Sequence, residues 1–458
     1  MRLSFKTALI GFFAFMPTPL SAQVIPDATL SNNTTINING TTIKIEGGTR
    51  LGNNLFHSLR EFSVPTGSTV HFNNPIGIEA IITRITGGTV SNIDGLIRVN
   101  GASNLFLINP SGIVFGPNAR LDIGGSLFAT TADALEFSDG SSFSAVNPKQ
   151  PLLTVSIPIG LRFSGKSGSI TVQGTGQGVS AANTGNQPTI VNNNSPSLSV
   201  RENQNLALIG DKLILDGANL SAPSGNIQLG SIDKGVVRFT SSSNTWNFNY
   251  ERVSNFDNIN ISKQSLINAS GNPGGFIQAL GANVYLQDGS IILNQNLGNA
   301  SSGSINISAS RSLVLDKTSP NGNVSSSILA ESLNTGKGGD VIISAQELVL
   351  QDGARIASSA YNDGLGGNVI INASNSISLL PNRFANPFRR GDIISTIGAG
   401  TVSRGDAGYV QVSTDRLYIS DGGAIASSTF GSGNGNIVTV NANSIEITGN
   451  ELPTVGFA

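Results

Sequence analysis

Residues 104–132 read NLFLINPSGIVFGPNARLDIGGSLFATTA. Short apolar runs, such as those at 105–108 and 113–115, alternate here with segments rich in Pro, Gly and Asn. Each run is too short for a helix, and the flanking Pro and Gly residues fix φ or permit positive φ, as tight corners require. No Asn-Gly hairpin turn separates alternating strands. The stretch therefore predicts three short strands, each ending at a corner, in a chain that coils rather than meanders.

A related pattern repeats from residue 271 to the end of the sequence. A Gly, a polar or small residue and a β-branched run recur, and a second strand, an Asp-Gly turn and a third strand follow. The glycines that open these units are Gly303, Gly339, Gly367, Gly408 and Gly435. Steps of 36, 28, 41 and 27 residues separate them. Three strands per unit of roughly 27 residues are typical of a parallel β-helix, and a longer unit is the same coil with an inserted loop, as at 381–391.

We therefore predict an all-β chain that forms a right-handed, single-stranded parallel β-helix, a solenoid with Val, Ile and Leu inside and Ser, Thr and Asn outside. One coil cannot bury its apolar face alone, so stability comes from stacking. An uncovered first coil would expose strand edges, so residues 23 to about 60 are expected to form an N-terminal cap. The Ser-, Gly-, Asn- and Pro-rich segment 136–200 is expected to form extra-helical β excursions, as loops plus a small sheet lying on the solenoid.

Two segments leave local alternatives open. The spacing of apolar residues at 55–62 allows one helical turn, but the flanking Gly and β-forming residues favour a strand. Trp246, Phe248 and Tyr250 alternate, so they can point to one face of a strand. A buried aromatic row is favoured over an exposed row that would stack on sugars.

Composition limits the function. The chain has 458 residues, of which 12% are charged, and its net charge is −2, so nucleic acid and anionic lipid are not expected as partners. Gly accounts for 55 residues, well above the average of roughly 7%. The absence of Cys excludes disulfides, thiolate zinc sites and Cys nucleophiles.

Residues 1–22 have the pattern of a signal peptide. Arg2 and Lys6 provide a basic start, residues 8–15 are apolar, and residues 20–22 form a plausible cleavage site. The apolar run is too short for a membrane anchor. No other segment approaches 18 apolar residues, so we expect no membrane span in the mature chain.

The segment 104–119 resembles the Asn-Pro-Asn-Gly-Ile block of the filamentous haemagglutinin N-terminal domain, also called the haemagglutination activity domain. That domain is the secretion module of two-partner secretion exoproteins. The resemblance continues in order through the blocks at 52–64, 70–75, 78–88, 91–101 and 126–135. Two positions depart from the family pattern. Ser111 stands where the family usually has Asn, and the second family motif, Asn-Pro-Asn-Leu, has no counterpart, although residues 89–92 occupy its expected place.

With the signal peptide pattern at 1–22 and the repeats at 271–458, the resemblance gives a three-part organisation in which residues 23–270 form a secretion domain. It also implies export by an outer-membrane two-partner secretion transporter whose periplasmic domains recognise the secretion motif. That motif comprises Asn109, Pro110, Ser111, Gly112 and Ile113. The protein would pass through the periplasm and end in the medium or on the cell surface. The expected role is that of an adhesin or haemagglutinin-like protein.

Two alternatives to an adhesin are a β-helical enzyme acting on polysaccharides and the stalk of a larger, truncated exoprotein or toxin. The enzyme would need clustered carboxylates. The acids here fall mostly in Asp-Gly turns, and stacking in register would bring Asp288, Asp352 and Asp421 to one corner, where a turn role is favoured. His57 and His71, the only histidines, lack a Ser-Asp or metal-ligand context. We therefore predict no enzyme activity, catalytic residue, cofactor or metal.

Two short motifs could serve binding. The segment Gly336-Lys337-Gly338-Gly339-Asp340 resembles a Gly-rich Ca²⁺ repeat but is not repeated in tandem. An Arg-Gly-Asp tripeptide can present a guanidinium and a carboxylate from a turn to a host-cell or matrix receptor, whereas a glycan is the other candidate ligand. The tripeptide occurs twice, as Arg390, Gly391 and Asp392 and as Arg404, Gly405 and Asp406.

Overall fold

The computed structural model describes residues 23–149, 151, 153–180, 187–192, 198–242, 245–381 and 394–449. The predicted signal peptide and the tripeptide at 390–392 lie outside these residues. The described segments form strands, turns and loops, and no helix long and apolar enough to cross a membrane occurs in them.

The strands of the cap and the first coils are β1 (Val24–Pro26), β2 (Thr34–Asn39), β3 (Thr42–Gly47), β4 (Thr49–Leu51), β5 (Asn54–Phe62), β6 (Thr69–Phe72), β7 (Ala80–Ile85), β8 (Ser91–Ile93), β9 (Leu96–Val99), β10 (Asn104–Ile108), β11 (Ile113–Phe115), β12 (Arg120–Asp122) and β13 (Leu127–Thr130). The middle of the chain contains β14 (Ala134–Phe137), β15 (Ser142–Ser144), β16 (Pro158–Ser164), β17 (Ile170–Gln173), β18 (Val179–Ser180), β19 (Ile190–Val191), β20 (Leu198–Ser199), β21 (Asn205–Gly210), β22 (Leu213–Asp216), β23 (Asn219–Ser221), β24 (Asn226–Ser242) and β25 (Thr245–Phe256). The later coils contain β26 (Ile259–Ser262), β27 (Leu266–Asn268), β28 (Phe276–Gln287), β29 (Ile291–Asn296), β30 (Ile305–Asp316), β31 (Ser327–Ser332), β32 (Val341–Leu350), β33 (Arg355–Ala360), β34 (Val369–Leu379), β35 (Thr396–Thr401), β36 (Val410–Ser420), β37 (Ala424–Thr429) and β38 (Val438–Thr448).

These strands confirm the parallel β-helix. Each coil contributes one strand to each of three faces: face 1 starts at β5, face 2 at β8 and face 3 at β3. In the long later strands, the first part lies on face 1 and the second part on face 2. Parallel pairing places one aliphatic residue of every coil in a single column along face 1: Leu55, Ile81, Leu105, Leu127, Leu206, Ile227, Ile277, Ile305, Val341, Val369, Val410 and Val438.

The register confirms the first three repeat steps and corrects the last. Val410 pairs with Val438, so Asn436 rather than Gly435 occupies the position of Gly408. The step is therefore one residue longer than predicted. The corner at 431–435 reads Gly-Ser-Gly-Asn-Gly, and the glycine pattern alone does not show which of its residues aligns with the preceding coil.

The recurring glycines are explained by close approach of backbones between coils. A Cβ atom built at Gly303, Gly339, Gly367 or Gly408 would lie 2.4, 2.2, 2.0 or 1.9 Å from the carbonyl oxygen of the preceding glycine in the same column. Such distances are shorter than any normal contact, so these four positions leave no room for a side chain between the stacked coils.

The cap forms as predicted at the N-terminal end. β2 pairs antiparallel with β3, while β1 and β4 pair antiparallel with β5. β5 is a strand throughout its length, which excludes the helical alternative for 55–62. Asp27 holds the cap to the first coils because its carboxylate accepts hydrogen bonds from Ser58 and Thr86.

The extra-helical sheet is larger than predicted. β14, β15 and β16 form it together with the second half of β24 and with β25, all antiparallel. The β24–β25 hairpin, in which the chain leaves the coil after Ser231 and returns near Asp257, was not predicted from the sequence. This sheet covers the outer side of face 1.

A second core lies between that sheet and face 1. Phe56, Phe106 and Phe128 point outward from face 1 and pack in this core with Phe239 and Trp246. The Trp246 side chain is only 5% exposed, which confirms the predicted burial of the aromatic row. Aromatic stacking on sugars is therefore not available to Trp246.

Asp211 lies at the base of this sheet, and one oxygen of its carboxylate is buried without a hydrogen-bond partner among the described residues. Burial, together with Asp257 and Asp233, raises the pKa of Asp211 from 3.8 to about 6. The folded state therefore binds the proton of the Asp211 carboxyl group more tightly than the unfolded state does. The stabilisation that this proton gives the folded state is complete below pH 3.8 and is lost as the pH rises through 6.

We predict that Asp211→Asn unfolds at a higher urea concentration than the wild type at pH 7.5, because the variant carries no buried charge there. The difference should shrink as the pH falls from about 6 to about 4. Urea unfolding midpoints at both ends of that range test this. An unchanged difference across the range would contradict the assignment of the proton to Asp211.

Candidate functional site

The predicted secretion motif forms the corner between β10 on face 1 and β11 on face 2. The Asn109 side chain is fully buried. Its amide nitrogen donates hydrogen bonds to the Thr89 carbonyl and the Ser91 hydroxyl, both at 2.9 Å. Its amide oxygen accepts a hydrogen bond from the Ser111 N–H at 3.0 Å, which closes an Asx turn. Asn109 therefore fixes the corner and joins it to the preceding coil.

The rest of the motif is held by its neighbours on both sides. The Gly112 carbonyl accepts from the Ser91 N–H, and the Ile113 N–H donates to the Ser169 carbonyl of the next coil. Gly112 has a φ of +118°, where L residues are strained, and an added Cβ would lie 3.1 Å from the Ser169 carbonyl oxygen. The corner needs Gly at this position for backbone geometry alone.

Only part of the motif is available to another molecule. Pro110 and Ser111 are partly exposed, whereas Asn109, Gly112 and Ile113 are buried. Directly below them on the solenoid, Thr89 is exposed and Val90 is 42% exposed. The structure thus brings the first motif beside residues 89–92, the place expected for the second. We name Thr89 and Val90, which are exposed, together with the partly exposed Pro110 and Ser111, the corner surface.

A groove of about 560 Å³ continues the corner surface toward the cap. Thr89 and Val90 line it together with Gln23 and Asp94. The Asp94 carboxylate accepts hydrogen bonds from Thr66 and Asn118, and these lower its pKa although burial opposes them. The groove therefore combines the apolar side chains of Val64, Pro65 and Val90 with the Asp94 carboxylate, which is ionised at neutral pH.

The two histidines have structural partners. His57 is buried, and its Nδ1 lies 3.1 Å from the Thr34 hydroxyl. Burial lowers the pKa of His57 to about 4, so the ring is neutral at pH 7. His71 Nε2 lies 2.7 Å from the Asn100 side-chain oxygen. Neither ring is near a hydroxyl and a carboxylate in the arrangement that acyl transfer would need.

The three Asp-Gly turns predicted to share a corner do so, but their carboxylates are separated. Asp288, Asp352 and Asp421 all have positive φ, between 47° and 59°. Lys317 lies between the first two, because its Nζ approaches Asp288 at 3.8 Å and its N–H donates to Asp352 at 3.2 Å. Pro381 lies between Asp352 and Asp421 in the register. These acids stabilise the corner rather than forming an acid–base pair.

The other two motifs are also engaged in the coil. In the Gly-rich segment, Lys337 pairs with Asp340 at 3.2 Å. Within the described ranges, no group of three or more His, Asp or Glu side chains is arranged to hold a metal ion. In the second Arg-Gly-Asp tripeptide, Arg404 binds Asp363 of the preceding coil and Asp406 accepts two hydrogen bonds from Asn434 of the next. Both charged ends of the tripeptide therefore already have partners.

Sequence analysis missed two buried charges that organise the fold. Arg84 is fully buried where β7 meets the cap, and Glu331 is 3% exposed on face 3. Each occurs as a charge inside an otherwise apolar or small strand, AIITRI and SILAES. A single charge in such a strand could have indicated a buried ion. However, alternate side chains of a strand point to opposite faces, so the same pattern fits a charge that points to solvent.

The structure is a capped parallel β-helix. The motif at 109–113 forms a Pro- and Gly-containing corner near its N-terminal end. The TPS secretion domain family matches residues 22–279, more than half of the chain. The chain belongs to that family, whose members are exported proteins that are secreted or attached to the cell surface. The family is not known for enzymatic activity.

Three individual proteins are similar to this chain. The crystal structure of the HMW1 secretion domain from Haemophilus influenzae is 16% identical and has a TM-score of 0.53, with 93% of this chain and all of that one covered, which shows a shared fold. The filamentous haemagglutinin secretion domain is 12% identical over 94% of this chain and 97% of that one, at a TM-score of 0.32. A heme/hemopexin-binding protein of Haemophilus influenzae is 30% identical over 125 residues, which are 27% of this chain and 12% of that protein.

Proposed function

We propose that this chain is an exoprotein that reaches the cell exterior through a partner outer-membrane transporter, whose periplasmic domains recognise the corner surface. The observation that carries the proposal is the corner at 109–113, which lies in the matched secretion domain and exposes Pro110 and Ser111 beside Thr89 and Val90. The proposal retains the signal peptide at 1–22, the secretion domain at 23–270 and the repeat region at 271–458.

Asn109 and Ser111 have different roles in this proposal. Asn109 cannot touch a partner because it is buried, so it positions Pro110 and Ser111 through its bonds to Thr89, Ser91 and Ser111. Ser111 is partly exposed and would touch the partner directly. A variant at Asn109 loosens the corner, whereas a bulky residue at position 111 blocks it without removing a buried hydrogen bond.

We predict that Asn109→Ala and Ser111→Arg each reduce the amount of protein in the culture medium at least tenfold, measured with the cognate transporter present. The wild type should reach the medium only when the transporter is expressed. Asn443→Ala is the matched control, since Asn443 is exposed on the last coil and donates to Asp415 far from the corner, and export of this variant should stay within twofold. Circular dichroism of purified Ser111→Arg should match the wild type.

Wild-type secretion without any transporter would overturn the export route. Normal secretion of both corner variants would instead overturn the role of the corner surface. A poorly folded Asn109→Ala protein beside a well-folded, retained Ser111→Arg protein would still support recognition, because the second variant separates recognition from folding.

Outside the cell we propose an adhesive or surface-matrix role, supported by the long regular solenoid. A polysaccharide-acting enzyme is less well supported, because Lys317 and Pro381 separate the stacked Asp residues of the described coils. The relative named for heme and hemopexin lends no support to direct haem ligation here, since His57 is buried and His71 is hydrogen-bonded to Asn100. The Arg404 tripeptide could bind a receptor only if its pairs with Asp363 and Asn434 opened.

A further inference from the structure

A second, smaller excursion lies on the outer side of face 3. It consists of residues 177–180 and 187–192, in which β18 and β19 pair antiparallel. We name it the outer hairpin. Val179 and Val191 pack on a cluster of apolar side chains, which come from the outer side of face 3 and from the loop before β31. That cluster comprises Leu266, Ile291, Leu293, Val324, Leu329 and Ala357.

Polar contacts fasten the outer hairpin to the same face. The Glu331 carboxylate accepts hydrogen bonds from the Thr189 N–H at 3.1 Å and from the Thr189 hydroxyl at 2.7 Å. The Gln295 amide nitrogen donates to the Thr189 carbonyl and to Glu331, both at 2.7 Å. Thr189 is therefore held through its backbone N–H, its carbonyl and its hydroxyl.

Glu331 depends on the outer hairpin in turn. Its carboxylate is almost completely buried, and the charged or titratable neighbours that act on it from β33 and the turn after it are Arg355 and Tyr361. Thr189 supplies two of the donors that compensate the loss of water around the carboxylate. Without Thr189, the buried carboxylate would keep only part of its hydrogen bonds, which is unfavourable.

The two halves of this contact are far apart in the chain. Thr189 and Glu331 are separated by 142 positions, and Gln177 donates a hydrogen bond to the Gly289 carbonyl across 112 positions. The outer hairpin lies within the matched secretion domain, which ends at 279, whereas Gly289, Gln295 and Glu331 all come after it. The hairpin thus crosses from the secretion domain to the coils that follow.

We propose that the outer hairpin is a latch that closes only after the coil containing Glu331 has formed, and that it then fastens the secretion domain to the following coils. This rests on the proposed function, in which the N-terminal part of the chain emerges and folds first. During such export the hairpin would emerge before its docking surface exists. The outer hairpin would then dock only once the coils up to and including β31 have stacked.

Hydrogen exchange of the full chain tests the docking contact. In Glu331→Gln and in Thr189→Val, the peptide containing Thr189 and Val191 should exchange at least tenfold faster than in the wild type. Thr189→Val removes a donor outside the solenoid, so it gives a result even if Glu331→Gln folds poorly. Glu347→Gln is the matched control, because Glu347 is exposed yet also accepts a hydrogen bond from the next coil. A change below twofold in both latch variants would overturn the contact.

Pulse-labelled exchange during refolding of the wild-type chain tests the order of events. The amides of Thr189 and Val191 should become protected after those of β31, and never earlier. Protection of the hairpin before β31 would overturn the latch. This experiment uses no transporter, so a failure of the proposed export route would leave its outcome unchanged.

Discussion

Arg84→Met is expected to destabilise the N-terminal part of the solenoid by about 3–5 kcal/mol, because it breaks a buried, charged hydrogen-bond network while preserving most of the side-chain volume. The Arg84 guanidinium donates to Ser58 and Thr29 at 2.9 Å, to the Ser144 carbonyl at 2.6 Å and to the Pro148 carbonyl at 3.1 Å. One side chain therefore joins the cap, the first coil and the extra-helical sheet.

The local electrostatics explain why a cation is tolerated there. Burial lowers the pKa of Arg84 to about 10, and the nearby Asp27 carboxylate opposes that shift. The guanidinium also lies over the Phe143 ring, 4.2 Å from its centroid. Arg84 thus remains charged at pH 7, and its removal would leave the carbonyls of Ser144 and Pro148 without these donors.

Urea unfolding followed by Trp246 fluorescence measures the effect, since Trp246 lies in the core that the extra-helical sheet encloses. Arg98→Met is the control. Arg98 is exposed and pairs with Asp122 at 3.0 Å, so its loss should cost less than about 1 kcal/mol. If the two variants lost the same free energy of unfolding, the hydrogen bonds of Arg84 would not be what stabilises the cap.

The sequence predicted the coil well because its signal is repeated. Each coil places an aliphatic residue in the face 1 column and most place a glycine at a crowded corner, so one pattern is confirmed many times along the chain. The corner at 109–113 was also predicted from its Pro and Gly residues, which fix backbone geometry locally, whereas its secretion role came from the family resemblance. Its division into a buried Asn109 and a partly exposed Ser111 depends on neighbouring coils, and no local pattern contains that information.

Long-range features were harder to predict. Arg84 and Glu331 are buried by segments 60 and 142 positions away in the sequence, so periodicity gave no reason to place them inside. The β24–β25 hairpin was missed because its place in the extra-helical sheet depends on pairing with β16, more than 60 positions earlier in the chain. At 431–435 the local glycine spacing placed the last coil one residue out of register, and only pairing with β36 corrects it.

Gly367→Ala is expected to destabilise the coils around β34 by about 3 kcal/mol or more, because the new Cβ would lie 2.0 Å from the Gly339 carbonyl oxygen. That atom belongs to the backbone of the preceding coil and cannot rotate away as a side chain could. Relief would require the two coils to separate, which would weaken the stacking that stabilises both.

In a solenoid the stability is close to a sum of contributions from coils and from the contacts between neighbours, so this damage should remain local. We expect far-UV circular dichroism of Gly367→Ala to show early loss of part of the strand signal in urea, while Trp246 fluorescence keeps its wild-type midpoint. Gly400→Ala is the control within the next coil, since a Cβ there meets nothing closer than 3.8 Å. If Gly367→Ala unfolded like Gly400→Ala, close approach would not be the reason for the glycine column. If both probes shifted together, the solenoid would unfold as one cooperative unit rather than coil by coil.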